Sequence, residues 1–223
     1  MSGERAEATR VQGVLISLEG VDGSGKSTQI ALLKEALEAE GLSTVCVREP
    51  GGTPISEKIR ALVLDPANPE MSPECELLLY EASRAQLVQE LMVPALAQGS
   101  VVLCDRFYDS TTAYQAYGRD LDRTQVEQAN ALGSCGLVPE LTIILDIDSA
   151  EALRRATREK ADRMEEGGNQ LMLRVAEGYR ALAASGEERF HLLDARTTPQ
   201  EIHEHIMELV EPLLTERRIA GKA

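Results

Sequence analysis

Nine consecutive residues, Gly20-Val21-Asp22-Gly23-Ser24-Gly25-Lys26-Ser27-Thr28, carry the chemistry that is most legible in this chain. They fit G-x-x-x-x-G-K-[ST]. Glycines let successive backbone N–H groups turn inward and form an anion-sized nest. Lys26 adds a mobile positive charge for the β and γ phosphates of a nucleoside triphosphate, and the Ser27 hydroxyl can ligate Mg²⁺. A helix beginning near Gly25 would aim its unpaired N–H groups and the positive end of its dipole at the same phosphates. Further charged residues recur in the loops. Arg48-Glu49 leads into Pro50-Gly51-Gly52-Thr53, Asp105-Arg106 follows an apolar run, and Arg154 to Arg163 is densely basic. Several cations gathered around two phosphate groups suit phosphoryl transfer, whose transition state spreads negative charge over the migrating group.

The elements that must hold these residues follow from apolar patterning. Strand-length runs at residues 13–18, 44–47, 101–104, 141–145 and 191–193 alternate with helical periodicity. Helices are expected from Gln29 to Glu40, from Pro54 (capped by Thr53) to Leu64, and from Ser72-Pro73 to Gln98. Others are expected after Thr124 (with Glu127 as a capping box), after Ser149, around Leu171 to Leu182, and from the Thr198–Glu201 capping box to Arg217. This alternation predicts an α/β fold, a five-stranded parallel sheet with helices on both faces. Such folds bind ligands at the carboxyl ends of their strands, which is where the charged loops fall. A polar tail is expected over residues 1–10, a single kinase-type domain over 11–216, a lid segment over about 154–168, and fraying from 217 to 223. The helix opened by Pro73 is apolar on several sides, and that predicts a second burial partner and a homodimer.

Bulk composition narrows the function classes. Lys plus Arg total 23 and Asp plus Glu total 37, a formal charge of −14. A field of that sign repels nucleic acid and anionic membranes, so neither is expected as a partner. Cys46, Cys75, Cys104 and Cys135 are widely spaced; Cys46 and Cys104 lie in apolar runs, and reduced core residues are the expectation. No stretch reaches transmembrane length and the first twelve residues lack an apolar core, so a cytoplasmic protein is expected. The spacing of His203 and His205 puts them on different helix faces and argues against a metal site there. There is no N-K-x-D to read guanine.

The string Glu19 to Thr28, then Arg48-Glu49-Pro50-Gly51-Gly52-Thr53, Asp105-Arg106 with Ser110-Thr111-x-Ala113-Tyr114-Gln115, and Asp162-Arg163-Met164-Glu165 together resemble the thymidylate kinase family over residues 11–216. The resemblance implies ATP + dTMP → ADP + dTDP, with Mg²⁺. By matching position it implies that Gly20 to Thr28 hold ATP, that Lys26, Arg106 and Arg158 are catalytic, and that Ser27 and Asp105 serve the metal. Asp22 matches the acid placed against the acceptor's sugar, and Arg48 and Arg106 match arginines that grip its phosphate. Tyr80 matches an aromatic stacked on thymine, and Arg84 a group reaching a base carbonyl. Thr111 and Gln115 match base-edge positions, and Tyr114 a position that would exclude a 2′-hydroxyl. Gly23 stands where some members carry a basic residue. Members without it use a lid arginine, which points to Arg158, four residues before Asp162, with Arg154, Arg155 and Arg163 supporting. Tyr80 in place of the more usual phenylalanine, and Ala116-Tyr117 in place of a frequent glycine, depart from the pattern. Two other readings remain open on the residues themselves: a kinase for CMP, UMP or AMP, and a non-catalytic, nucleotide-gated binding protein.

Overall fold

The computed structural model describes residues 13–155, 163 and 168–220. Its centre is a five-stranded, all-parallel sheet in the order β2-β3-β1-β4-β5. The strands are β1 (Val14–Glu19), β2 (Thr44–Arg48), β3 (Val101–Asp105), β4 (Leu141–Asp146) and β5 (Phe190–Asp194). Parallel neighbours need crossovers, and the helical patterns between the strands supply them. Alternation along β1 divides two cores. Val14, Ile16 and Leu18 face one side, packed with Ile30, Leu33 and Leu37 of α1 (Lys26–Ala39), with α8 (Gly168–Ala183) and with α9 (Pro199–Ala220). Leu15 faces the other side, against Leu87, Val88, Met92 and Leu96. The expected fold class is the observed one.

Several local expectations need correction. The helix opened by Pro73 runs as α3 (Pro73–Leu87), a π-helical stretch Val88–Met92, and α4 (Val93–Ala97). Pro94 has no N–H to return to the preceding turn, and a wider turn just before it absorbs that loss. Helix α6 (Arg123–Gly133) is capped by Asp122, whose carboxylate accepts the Gln125 N–H at 3.0 Å, so Thr124 lies inside the helix. Asp148, not Ser149, starts α7 (Ser149–Arg155): its carboxylate accepts the Glu151 N–H and its carbonyl the Ala152 N–H. In both cases a nearby aspartate, as good an N-cap as serine and better than threonine, takes the orphan N–H groups. The Thr198–Glu201 capping box is present, with both reciprocal bonds formed. Helix α9 continues to Ala220, past the expected fraying point at 217, with Pro212 accommodated within it. Only Cys104 is buried among the four free cysteines; Cys46 sits on the edge strand β2, and Cys75 and Cys135 are exposed.

Candidate active site

The site is assembled where β1, β2 and β3 end. After β1, Gly20, Gly23 and Gly25 adopt φ values of 132°, 77° and 98°, and this left-handed sequence curls the loop into its nest. A side chain at Gly20 would collide with Leu145 O and Ser24 Oγ. Lys26 opens α1 directly from Gly25. Its Nζ donates to Gly20 O and Val21 O, each at 3.0 Å, so the ammonium spans the mouth of the nest. Burial and the neighbouring Arg106 guanidinium lower its pKa to about 8, and bound phosphate would restore the charge. Ser24 Oγ is buried with no partner among the described residues, a hydroxyl inside the cradle that fits a phosphate oxygen. Ser27 Oγ donates to Asp105 Oδ2 at 2.9 Å, bringing together the two residues expected to serve the metal.

β3 delivers Asp105 and then Arg106, whose backbone sits at φ 68°, a conformation uncommon for a residue with a Cβ. The turn sends the Arg106 guanidinium away from Ser27 and toward Asp22 Oδ1 (2.6 Å), Gly20 O (2.8 Å) and Tyr179 OH (3.0 Å). Arg106 holds the half-exposed Asp22 carboxyl down to about 2, so Asp22 is an ionised acceptor at any working pH. Behind Arg106, Glu19 accepts from Phe107 N (2.7 Å), from the Ser110 hydroxyl (2.5 Å) and from Tyr179 OH (3.3 Å). Burial, followed by the charge of Asp109, pushes the Glu19 carboxyl up to about 7.

Next to the nest lies a cleft of about 560 Å³, including its open mouth. Seven of the residues matched to the acceptor line it: Asp22, Tyr80, Arg84, Arg106, Thr111, Tyr114 and Gln115. Arg84, on α3, is buried and forked. Nε donates to Glu49 Oε2 (2.7 Å), Nη1 to Glu81 and Nη2 to Thr111 Oγ1 (2.9 Å). Burial pushes the Glu49 carboxyl up to about 8 even though Arg84 opposes the shift. Gln115 lies in the π-helical stretch Thr112–Gly118, and its Nε2 donates to the buried Glu76 at 2.9 Å. The Arg-Glu-Pro-Gly-Gly-Thr loop leads into α2 (Pro54–Val63), with Thr53 accepting the Ser56 N–H.

Other expected residues stand elsewhere. Arg48 is not in the cleft wall; Nη2 pairs with Glu57 Oε1 at 3.0 Å and half of the side chain is exposed. Arg154 and Arg155 pair with Glu151. Arg163 is buried, donating to Val63 O (2.9 Å) and to Glu76. Arg158 and most of the expected lid lie outside the described residues. Sequence reasoning missed the acidic side of the site, Glu49, Glu76 and Glu81, and also Arg60, which lines the cleft and donates to Pro50 O at 2.8 Å. Glu76 and Glu81 stand in no motif, and Glu49 stands inside the Arg-Glu-Pro-Gly-Gly-Thr string without a role read for it. The available signal was Glu at 76 and 81 on a helix that buries most of its circumference.

The arrangement can hold two anions end to end: a polyphosphate in the nest and a second phosphate beside Arg106. A family model described as thymidylate kinase matches residues 18–206. The chain is 45% identical over 212 residues to a thymidylate kinase of Chlorobaculum tepidum, covering 91% of this chain and 99% of the relative. It is 45% identical over 206 residues to one of Pelotomaculum thermopropionicum, covering 92% and 95%. Among solved structures it resembles the thymidylate kinase of Ehrlichia chaffeensis, with a TM-score of 0.72 and 30% identity over 89% of this chain and 98% of that one.

Proposed function

The chain belongs to the thymidylate kinase family, and on that premise we propose how its own residues carry the reaction. The enzyme transfers the γ-phosphoryl group of ATP to dTMP, giving ADP and the dTDP needed for dTTP synthesis. A phosphate oxygen of dTMP attacks the γ-phosphorus, and the bond to the β–γ bridging oxygen breaks, leaving its electrons on ADP. The observation that carries this reading is the meeting of the nest and the cleft at Asp22 and Arg106, 2.6 Å apart.

The backbone N–H groups of residues 20–28 and Lys26 bind the donor's phosphates, and Arg106 neutralises charge between donor and acceptor. Asp22, ionised and held by Arg106, orients the acceptor's sugar hydroxyl; a carboxyl with a pKa of about 2 is a poor base. Tyr80 stacks on the base, Tyr114 crowds the sugar, and Arg84, Thr111 and Gln115 face the base edge. Arg48 grips the acceptor phosphate once Glu57 releases it. Ser27 and Asp105, a hard-oxygen pair brought together beside the nest, would hold Mg²⁺. When bound it would neutralise the β and γ oxygens. Arg158 completes the site as the lid arginine, and such arginines contribute about 10³–10⁵ in rate.

A homodimer belongs to the same reading. Its support is that Leu78 of α3 and Leu132 of α6, helices that pack on each other, are 65% and 80% exposed. Cytoplasmic placement is supported by four unpaired cysteines. An ADP-release assay with dTMP, dUMP, CMP, UMP and AMP offered in turn tests the whole. dTMP is expected to be the best acceptor, Lys26→Met to abolish turnover, and Arg158→Ala to lower kcat far more than it weakens ATP binding. Equal use of CMP would defeat the thymine-specific reading, and full turnover in Arg158→Ala would defeat the lid assignment.

A further inference from the structure

Glu76 lies on α3 behind the cleft wall and is 1% exposed. Its carboxylate collects four donors. Oε1 accepts from Gln115 Nε2 (2.9 Å) and Arg119 Nε (3.1 Å), and Oε2 from Arg119 Nη2 (3.0 Å) and Arg163. Burial works against its charge, but the hydrogen bonds from Arg119, Gln115 and Arg163 outweigh burial and hold the carboxyl below its usual range. An ionised carboxylate only accepts. The end of the Gln115 amide that meets it must therefore be the NH₂ group, and this fixes which way round the amide sits. Gln115 lines the cleft, so the end left for a ligand is Oε1, and no donor among the described residues meets that atom.

We propose that Glu76 is a positioning residue that locks Gln115 with its carbonyl oxygen toward the bound base, so that the cleft selects a pyrimidine with a ring N–H over one without. This rests on the reading of Gln115 as a base-edge contact. Thymine and uracil carry hydrogen on N3 and can donate to Gln115 Oε1. Cytosine presents a lone pair at N3, so two acceptors would face each other and neither would have water to turn to. A buried polar group left unpaired is where hydrogen-bonding sites derive their strongest discrimination. Arg84 lines the same cleft with its guanidinium held on Glu49, Glu81 and Thr111, and it would add a fixed donor beside this fixed acceptor. The pair matches the acceptor–donor order of the thymine edge and mismatches the donor–acceptor order of cytosine.

The test is the ratio of kcat/KM for dTMP to that for dCMP, measured in wild type, Glu76→Gln, Glu76→Asp, Gln115→Leu, Arg119→Gln and the double variant Glu76→Gln/Gln115→Leu. The amide introduced by Glu76→Gln can donate to Gln115 Oε1, letting the amide turn over and offer NH₂ to cytosine. Glu76→Gln is expected to lower the ratio at least about tenfold, and to add nothing in the Gln115→Leu background. Glu76→Asp keeps the charge for both arginines but withdraws it by one methylene from Gln115, so a loss there also supports the lock if Glu76→Gln does not fold. Arg119→Gln withdraws donors from both oxygens of the same carboxylate but leaves the Gln115 bond in place, and is expected to keep the ratio within about twofold of wild type. An unchanged ratio in Gln115→Leu would defeat the base-edge reading itself. A lowered ratio in Gln115→Leu but not in Glu76→Gln or Glu76→Asp would overturn the lock alone. Equal loss in Arg119→Gln would reduce Glu76 to a general strut and overturn the proposal as well.

Discussion

Replacing Glu49 by glutamine should leave the protein's stability nearly unchanged below about pH 4.5, where the acid is protonated folded and unfolded alike, and leave it progressively more stable than wild type as the pH rises. The side chains of Glu49, Arg84 and Glu81 are 4%, 2% and 7% exposed. Two carboxylates therefore share one guanidinium in a place that water does not reach, a buried net charge of −1 unless a proton is also held. Each carboxylate puts one oxygen on Arg84 and leaves the other buried, with no partner among the described residues, and Glu49 is the one whose burial raises its carboxyl far enough to hold the proton. Burial accordingly pushes this carboxyl from 4.5 up to about 8. A folded-state pKa above the unfolded one contributes stability that is complete below about 4.5 and is lost as the pH climbs through about 8. One proton held against one lost changes stability by up to about 1.4 kcal/mol per pH unit, so roughly 2 kcal/mol drains from wild type between about pH 6 and 8. Glutamine imitates the protonated acid and does not titrate. The variant should therefore lie within about 1 kcal/mol of wild type at low pH and gain roughly 2 kcal/mol on it over that interval. Glu19, whose carboxyl burial pushes up to about 7, is present in both proteins, and its charge adds to the upward push on Glu49. Urea unfolding at three or four pH values gives the comparison directly. A conventional buried ion pair would instead cost about 3–5 kcal/mol on losing one partner, without shrinking at higher pH. That pattern would refute the protonated reading of Glu49.

Two other perturbations act on different parts of the site. Gly133→Ala would ordinarily gain about 1 kcal/mol in a helix. Here its Cβ would fall 1.9 Å from Glu81 Oε2 and so displace a partner of Arg84. A loss of about 1–3 kcal/mol is expected instead, with KM for dTMP raised severalfold and KM for ATP unmoved, as read by thermal unfolding and steady-state kinetics. Asp105→Asn should raise the Mg²⁺ concentration for half-maximal turnover about tenfold or more, leaving turnover at saturating Mg²⁺ closer to wild type; an unshifted Mg²⁺ titration would remove Asp105 from the metal's surroundings.

What the sequence disclosed was whatever is local. The phosphate loop is read from glycine and lysine spacing because the nest is made by its own backbone, and the strand ends around it are marked by charge following apolar runs. The two displaced caps, Asp122 for Thr124 and Asp148 for Ser149, were competitions between good acceptors one or two residues apart, which composition alone does not decide. Glu49, Glu76 and Glu81 were illegible for another reason. Their roles exist only after the β2–α2 loop, α3 and the π-helical stretch at Gln115 converge from positions up to 39 residues apart. Arg48 and Arg163 were visible as cations, but the carboxylates that hold them, Glu57 and Glu76, set where they point.

The peptide between Asp105 and Arg106 has a consequence for how the molecule moves. One residue looks to the metal's corner and the next to the acceptor, and the reversal between them is made by a single backbone angle at the end of a central strand. Under the proposed roles, the spacing between the group serving the metal and the group serving the acceptor is set by two consecutive residues of the chain. Whatever closes over the nucleotides can add charge and expel solvent, but the gauge between the two substrates is already cut into the resting enzyme.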